Sequence, residues 1–290
     1  MLDFRTDTFL CVCKYMNFTK AGHELNLTQP AVSQHIKYLE EYYGTKLFDY
    51  KKKTLSLTKA GVMLKNSLIS MRHDALFLKD RVKNGNNVNQ IKFGATLSIG
   101  EFLLPPKLMG FFEKNKGMNC NLTIADTKAL IEQLDEGTID FALVEGYFNK
   151  AEYDYRLIKT EKFVAVCGSG YDLPQIKKFE DLFENHLLIR EQGSGTREIL
   201  TNYLSEHGYS VEHFNGCSVI NSLNVIKYLL ENNGGISFLY NVVVDDCIKN
   251  GRLKKIEIPN FELSHEFNFI WRKNSIFADD YYQIFDELFK

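Results

Sequence analysis

The chain has 290 residues, with 35 Lys+Arg against 37 Asp+Glu and a formal net charge of -2. That length suggests about two domains. No apolar run approaches the ~18 residues of a membrane span, and Met1 to Asp7 show no basic stretch leading into an apolar one, so an integral membrane protein is excluded and the expected location is the cytoplasm. The charge is unevenly placed: residues 1–83 hold 14 Lys+Arg and 8 Asp+Glu. A basic first third joined to an acidic remainder points to polyanion contact at one end of the chain.

Near the start, Phe9, Val12, Cys13 and Met16 follow helical spacing. Thr19 is the expected cap of a second helix carrying Ala21 and Leu25, and Asn26-Leu27 makes a tight turn. Thr28 is then a good N-cap, Pro30 suits the first helical turn, and Gly44 supplies the stop. Between them Val32, Ile36, Leu39 and Tyr43 recur on one face, which predicts burial of that face. Two short helices, a tight turn and a longer third helix read as helix-turn-helix.

The opposite face of the third helix is polar. Gln29, Ser33 and Lys37 lie four apart, with Gln34 beside Ser33. Gln can pair with adenine, Lys with guanine or phosphate, and Ser with either a base or the backbone. Next, Leu47-Phe48 and Leu55-Ser56-Leu57 predict a hairpin with Lys51, Lys52 and Lys53 at its tip, placed to reach phosphates. The whole predicts a winged helix-turn-helix that binds DNA.

Thr58 opens a long helix. Gly61, Leu64, Leu68, Met71, Ala75, Leu78 and Val82 step along it by three and four, a seam of about three heptads. Such a seam predicts pairing with a second copy, after first turns that pack on the chain's own winged unit. The polar stretch around Gly85-Asn86-Asn87 marks a boundary.

Beyond it, strands alternate with helices, including strands at Ile91–Ala95, Phe141–Val144, Leu187–Ile189 and Phe214–Cys217, and a helix at Thr196–Glu206. The alternation predicts parallel sheets flanked by helices, in two lobes, with ligand at the carboxyl ends of strands. The fold class is therefore α+β overall: a winged helix-turn-helix at 1–58, a dimerising linker helix and hinge at 59–90, and a two-lobed α/β effector domain at 91–290. Lobe I takes 91–162 and 266–290, and lobe II takes 163–265.

Three strand ends stand out. Thr96-Leu97-Ser98-Ile99-Gly100 and Gly193-Ser194-Gly195-Thr196 each open a helix with hydroxyls and backbone N–H groups suited to an anion, and Asn221-Ser222 precedes a third helix. The candidate effector-binding residues are Thr96, Ser98, Ile99, Gly100, Glu145, Gly193, Ser194, Gly195, Thr196 and Asn221, and the expected ligand is a small anionic metabolite.

Catalytic signatures are lacking. There is no G-x-S-x-G elbow, no phosphate-binding loop and no H-E-x-x-H pair among the seven histidines. Cys11, Cys13, Cys120, Cys167, Cys217 and Cys247 form no C-x-x-C pair and read as small apolar residues in a reducing compartment. No catalytic residue, metal or cofactor is expected.

The run Phe18 to Ile36, with Leu39-Glu40-Glu41-Tyr42-Tyr43-Gly44-Thr45-Lys46-Leu47-Phe48 and Leu57-Thr58-Lys59-Ala60-Gly61, strongly resembles the LysR-type transcriptional regulators. The resemblance extends over the whole chain and implies an effector domain like that of periplasmic solute receptors. It implies groove reading by Gln29, Pro30, Ser33, Gln34 and Lys37, and a wing steadied by Lys51, Lys52 and Lys53; Thr28, the cap of the same helix, completes the candidate DNA-binding residues. Tyr50 stands where the family commonly has Arg, and Leu97 where Ser or Thr is frequent. The segments Thr96–Pro105 and Arg190–Glu198 look most like members controlling sulfur assimilation. The family implies binding to a pseudo-palindromic DNA site as a homodimer or homotetramer, with effector-dependent DNA bending. Two other readings compete: a receptor module that does not act through DNA, and a DNA-binding protein without an effector.

Overall fold

The computed structural model describes residues 3–51, 54–84 and 90–290. Lys52 and Lys53 of the expected wing tip lie outside the described residues.

Helices α1 (Phe4–Tyr15), α2 (Phe18–Leu25) and α3 (Gln29–Tyr43) pack around Phe9, Val12, Ala21, Val32, Ile36 and Leu39. Asn17, and not Thr19, caps α2: its side chain accepts the Lys20 N–H at 3.0 Å from an extended backbone, while Thr19 already lies inside the helix. The α2–α3 turn closes on Asn26 in the left-handed region at φ 54°. Gly44 ends α3 at φ 65°, and Tyr43 beside it is 46% exposed and packs edge-on against Tyr42 instead of joining the buried face.

Strands β1 (Phe48–Lys51) and β2 (Thr54–Leu57) form an antiparallel wing with Phe48 opposite Leu57. The Glu40 carboxylate on α3 accepts the Leu47 N–H at 2.9 Å and the Lys46 ammonium at 2.6 Å, fixing the wing to the helix. Helix α4 (Lys59–Asn84) follows, with the Thr58 hydroxyl accepting the Gly61 N–H at 3.0 Å. A Cβ on Gly61 would sit 2.1 Å from the Leu47 carbonyl oxygen, so only glycine lets helix and wing meet there.

The first half of α4 buries Leu68 and Ile69 against the winged unit. A different face of its second half is bound to the C-terminal domain. Ser70 donates to the Lys273 carbonyl at 2.9 Å, His73 Nε2 lies 3.0 Å from the Ile139 carbonyl, and Arg81 pairs with Asp280 at 2.6 Å. Asp74 accepts the Ser275 hydroxyl at 2.6 Å and the Ile276 N–H at 3.0 Å. Of the predicted seam, Gly61 and Leu68 are thus spent within the chain, whereas Met71, Leu78 and Val82 stand 53%, 47% and 76% exposed.

The C-terminal domain begins with β3 (Gln90–Ala95), a π-helical turn at Ile99–Leu103, α5 (Leu104–Lys114), β4 (Asn119–Ile124), α6 (Thr127–Glu136) and β5 (Phe141–Val144). A long strand β6 (Tyr153–Gly168) leads into the second lobe, which holds β7 (Leu187–Ile189), α7 (Gly195–Glu206), β8 (Cys217–Val219), α8 (Leu223–Glu231), β9 (Ile236–Tyr240), α9 (Asn241–Lys249) and β10 (Leu253–Lys255). β11 (Leu263–Arg272) returns to the first lobe and ends in α10 (Ala278–Phe289).

The strand order is β4-β3-β5-β11-β6-β9-β7-β8, with β10 also on β6. This is a mixed arrangement and not the purely parallel one expected. β3 pairs parallel with β4 and β5, and β7 with β8 and β9, but β11 runs antiparallel to β5 and β6. The reason is the route of the chain: β6 carries it out and β11 brings it back alongside. Their pairing steps from Phe267–Lys159 to Asn268–Leu157, leaving Ile158 as a bulge between the lobes. The strand expected at Phe214–Cys217 starts only at Cys217, because Val211–His213 form a turn closed by the Phe214 N–H on the Val211 carbonyl and Gly216 stands at φ 91°.

Candidate DNA interface and effector cleft

Burial of Val32, Ile36 and Leu39 turns the other side of α3 outward. Gln29, Pro30, Gln34 and Lys37 are exposed there and Ser33 is half-buried. The Gln29 amide donates to the Ser33 hydroxyl at 2.7 Å, which holds both side chains on one surface. Lys37 lies 3.6 Å from the Glu41 carboxylate, a loose surface pair that a phosphate can displace. The Thr28 hydroxyl accepts the Ala31 N–H at 3.4 Å and is engaged as the cap. On the wing, Lys51 is exposed to solvent 3.1 Å from Asp49, and Tyr50 is 72% exposed.

In the C-terminal domain the sequence-predicted hydroxyls do converge, but on a carboxylate of the chain itself. Glu145, at the end of β5, is 2% exposed. It accepts the hydroxyls of Thr96 at 3.2 Å, Ser98 at 3.1 Å and Thr196 at 3.2 Å. Thr96 and Ser98 follow β3 in one lobe, and Thr196 stands in the first turn of α7 in the other, so the carboxylate bridges the lobes. Burial raises its pKa above the usual glutamate range; the three hydroxyls and the more distant Arg190 offset only part of that. The lobes meet closely here: a Cβ on Gly195 would lie 3.2 Å from Glu145 Cγ. On the other side of the cleft, the Asn224 amide donates to Glu101 at 3.3 Å and the Lys227 ammonium sits 4.6 Å from the Phe102 ring centre.

Two chambers open beside this bridge. An inner one of about 190 Å³ is lined by Thr96, Asp126, Glu145, Arg190, Glu191 and Asn221, among others. Its buried guanidinium, Arg190, is held by Glu191 through two bonds of 2.8 and 2.7 Å. Burial works against ionisation of Glu191, but Arg190 keeps its carboxyl below the ordinary range. An outer chamber of about 730 Å³ shares Ser194 and is walled by Thr127, Lys128, Tyr147, Gln192, Gly193, Arg197 and Glu198. Gly193, at φ 94°, makes the turn that leads into α7. Ile99 is wholly buried in the core and the Gly100 N–H donates to the Thr96 carbonyl at 2.7 Å, so neither faces the chambers. Asp126, Lys128, Arg190, Glu191, Arg197 and Glu198 are the charges in these walls that sequence reading did not single out as site residues; a lone charged residue at a helix start or strand end carries no signal that separates it from a solvated one. Among the described residues no cluster of His, Cys, Asp or Glu could hold a metal ion, and no helix is long and apolar enough to cross a membrane.

Comparison with known proteins accords with this layout. Residues 5–62 match the family described as "Bacterial regulatory helix-turn-helix protein, lysR family", and residues 84–276 match "LysR substrate binding domain". The regulator CysL of Bacillus subtilis is 28% identical over 271 residues, covering 91% of this chain and 88% of that protein. CbbR of Rhodospirillum rubrum is 26% identical over 273 residues, covering 93% and 90%. Among solved structures, full-length LysG of Corynebacterium glutamicum with bound effector Arg superposes at a TM-score of 0.63, with 15% identity and coverage of 99% and 98%. A full-length OxyR variant from Pseudomonas aeruginosa does so at 0.60, with 18% identity and coverage of 99% and 94%. A DNA-reading head and a two-lobed effector domain, each matched in place, assign the whole: the chain belongs to the LysR family of DNA-binding transcriptional regulators.

Proposed function

We propose that this regulator reads a pseudo-palindromic promoter site as a homodimer, assembled further into a tetramer, in the cytoplasm. Base contacts are assigned to Gln29, Pro30, Ser33, Gln34 and Lys37, with Thr28 positioning the helix and Lys51, Lys52 and Lys53 on phosphates. The division into a DNA-binding domain at 1–58, a linker at 59–90 and a two-lobed effector domain at 91–290 belongs to the same proposal, as does a role without catalysis. Its effector is a small metabolite with an acid group, bound between the lobes by residues drawn from Thr96, Ser98, Glu145, Gly193, Ser194, Gly195, Thr196 and Asn221.

The observation that carries this reading is the outward polar face of α3, pre-set by the Gln29–Ser33 hydrogen bond. A side chain held ready loses less freedom on binding a base edge. Footprinting on the DNA upstream of the chain's own coding region, with Gln29→Ala, tests it. The variant should lose about 1–3 kcal/mol on the specific site and relax preference at one base position. Equal loss on every sequence would reduce Gln29 to a phosphate contact and overturn the assignment.

A further inference from the structure

Glu145 uses the same hydroxyls that a bound oxyanion would need. A carboxylate offers about four acceptor positions, and Thr96, Ser98 and Thr196 fill three of them. Among the described residues no Lys, Arg or His forms an ion pair with it; Arg190, the nearest guanidinium in the chamber, has its Nε–Nη2 edge held by Glu191. The inner chamber therefore presents Asp126, Glu145 and Glu191 against a single guanidinium. A buried carboxylate without a cation is costly to keep, and an oxyanion entering here would add a second negative charge beside it.

The outer chamber has the opposite character. Lys128 and Arg197 line it without an ion pair among the described residues, and Glu198 is the one acidic side chain in its wall. Thr127 also lines it, 7% exposed, with its hydroxyl buried and without a hydrogen-bond partner among the described residues. The start of the twelve-residue helix α7 lies at its edge, where Gly193 and Ser194 form the lining and the Ser194 side chain makes no capping bond. That end of a helix favours negative charge.

We infer that the effector carries two charges: a protonated amine or guanidine that docks on Glu145 in the inner chamber, and an acid group held by Lys128, Arg197 and the start of α7 in the outer one. The ligand class is that of an amino acid, and Glu145 is its specificity-determining residue. The inference rests on the effector-cleft reading above and narrows it. The acid group of the proposed metabolite moves to the outer chamber, and Thr96, Ser98 and Thr196 serve to hold the carboxylate that meets the amine. Because Thr196 belongs to the second lobe, an amine on Glu145 is also bound at the junction of the two lobes.

Calorimetric titration of the full-length protein tests this with two matched sets of probes. One set is the free amino acids. The other is their N-acetyl derivatives, with Nα-acetylcitrulline and Nα,Nε-diacetyllysine standing for arginine and lysine, which keep the acid group and lose every positive charge, together with sulfate, phosphate and acetate. At least one free amino acid should bind, and its N-acetyl derivative should bind about tenfold or more weakly, the size expected for a charge-assisted hydrogen bond. Glu145→Gln should erase that preference. The comparison of two ligands on the unaltered protein holds even where the variant does not fold. Oxyanions or N-acetyl acids binding as tightly as the amino acid, or an amine preference that survives in folded Glu145→Gln, would overturn the inference while leaving an effector cleft in place. If no probe binds and none changes the footprint on upstream DNA, the effector reading falls and the inference falls with it.

Discussion

At the scale of single residues, Glu145 sets function against stability. Its carboxyl titrates higher in the folded chain than in the unfolded one because burial disfavours the charge. The unfolded chain therefore gives up this proton first as pH rises, and stability falls from the ordinary glutamate range up through the folded pKa, with the full penalty above it. Glu145→Gln should raise the melting temperature at neutral pH by about 2–4 °C, the shift that ~1 kcal/mol produces in a domain of this size. The gain over the unaltered protein should shrink as the pH drops towards the ordinary glutamate range, and thermal melts from about pH 4 to about pH 8 check it. A variant less stable at every pH would mean the three hydroxyl contacts outweigh the cost of the charge. The hydroxyls were legible as helix-start residues at Thr96, Ser98 and Thr196. That they surround Glu145 was not, because the carboxylate lies about fifty residues from each in the chain, and only the sheet topology brings them together.

At the scale of elements, α4 shows how one helix serves three surfaces. Its repeat of threes and fours correctly marks an apolar stripe, yet the stripe changes partner along its length. Gly61 and Leu68 face the winged unit, and Ser70, His73, Asp74 and Phe77 form a separate face against the C-terminal domain. Periodicity cannot distinguish these, since it reports that a face is apolar and not what covers it. Met71, Leu78 and Val82 are left for the proposed partner subunit. Replacing Leu78 and Val82 together with Glu should convert the dimer to monomer in sedimentation equilibrium and weaken DNA binding by about 100-fold through loss of two-site attachment. A dimer unchanged by both charges would place the interface elsewhere. Asp74 anchors the other face: burial opposes its ionisation, but His73, the Ser275 hydroxyl and the Ile276 N–H hold its pKa below the ordinary range. That contribution is present above the unfolded aspartate pKa and is lost as pH falls through the lower folded value.

For the molecule as a whole, a net charge of -2 hides two unlike halves. The basic N-terminal third supplies the exposed lysines of α3 and the wing, and the acidic remainder surrounds the cleft. DNA affinity of the intact protein should consequently fall steeply with salt despite its overall acidity. Lys51→Ala should lower affinity on all sequences alike and reduce the logarithmic salt slope by about 1, as read from binding isotherms at several salt concentrations. An unchanged slope would remove Lys51 from the phosphate contacts. The two-domain plan and the two lobes were legible from charge, caps and the alternation of strands and helices. The long first half of β6, together with α9 and β10, was not. Tyr153–Lys162 alternates burial weakly at the start of a strand whose partners lie about a hundred residues on, and the mixed sheet follows from that distant pairing.

Mechanically, β11 joins the cleft to the linker helix. It enters from the second lobe at Leu263, passes the bulge opposite Ile158, and leaves the sheet at Arg272. The residues just past its end are those that grip α4: Lys273 takes the Ser70 hydroxyl, and Ser275 and Ile276 take the Asp74 carboxylate. Arg272 itself pairs with Asp135 on α6, whose backbone carbonyl receives Arg72 of α4. One continuous strand and the short turn after it thus connect the junction of the lobes to α4, whose other end packs on the DNA-reading unit.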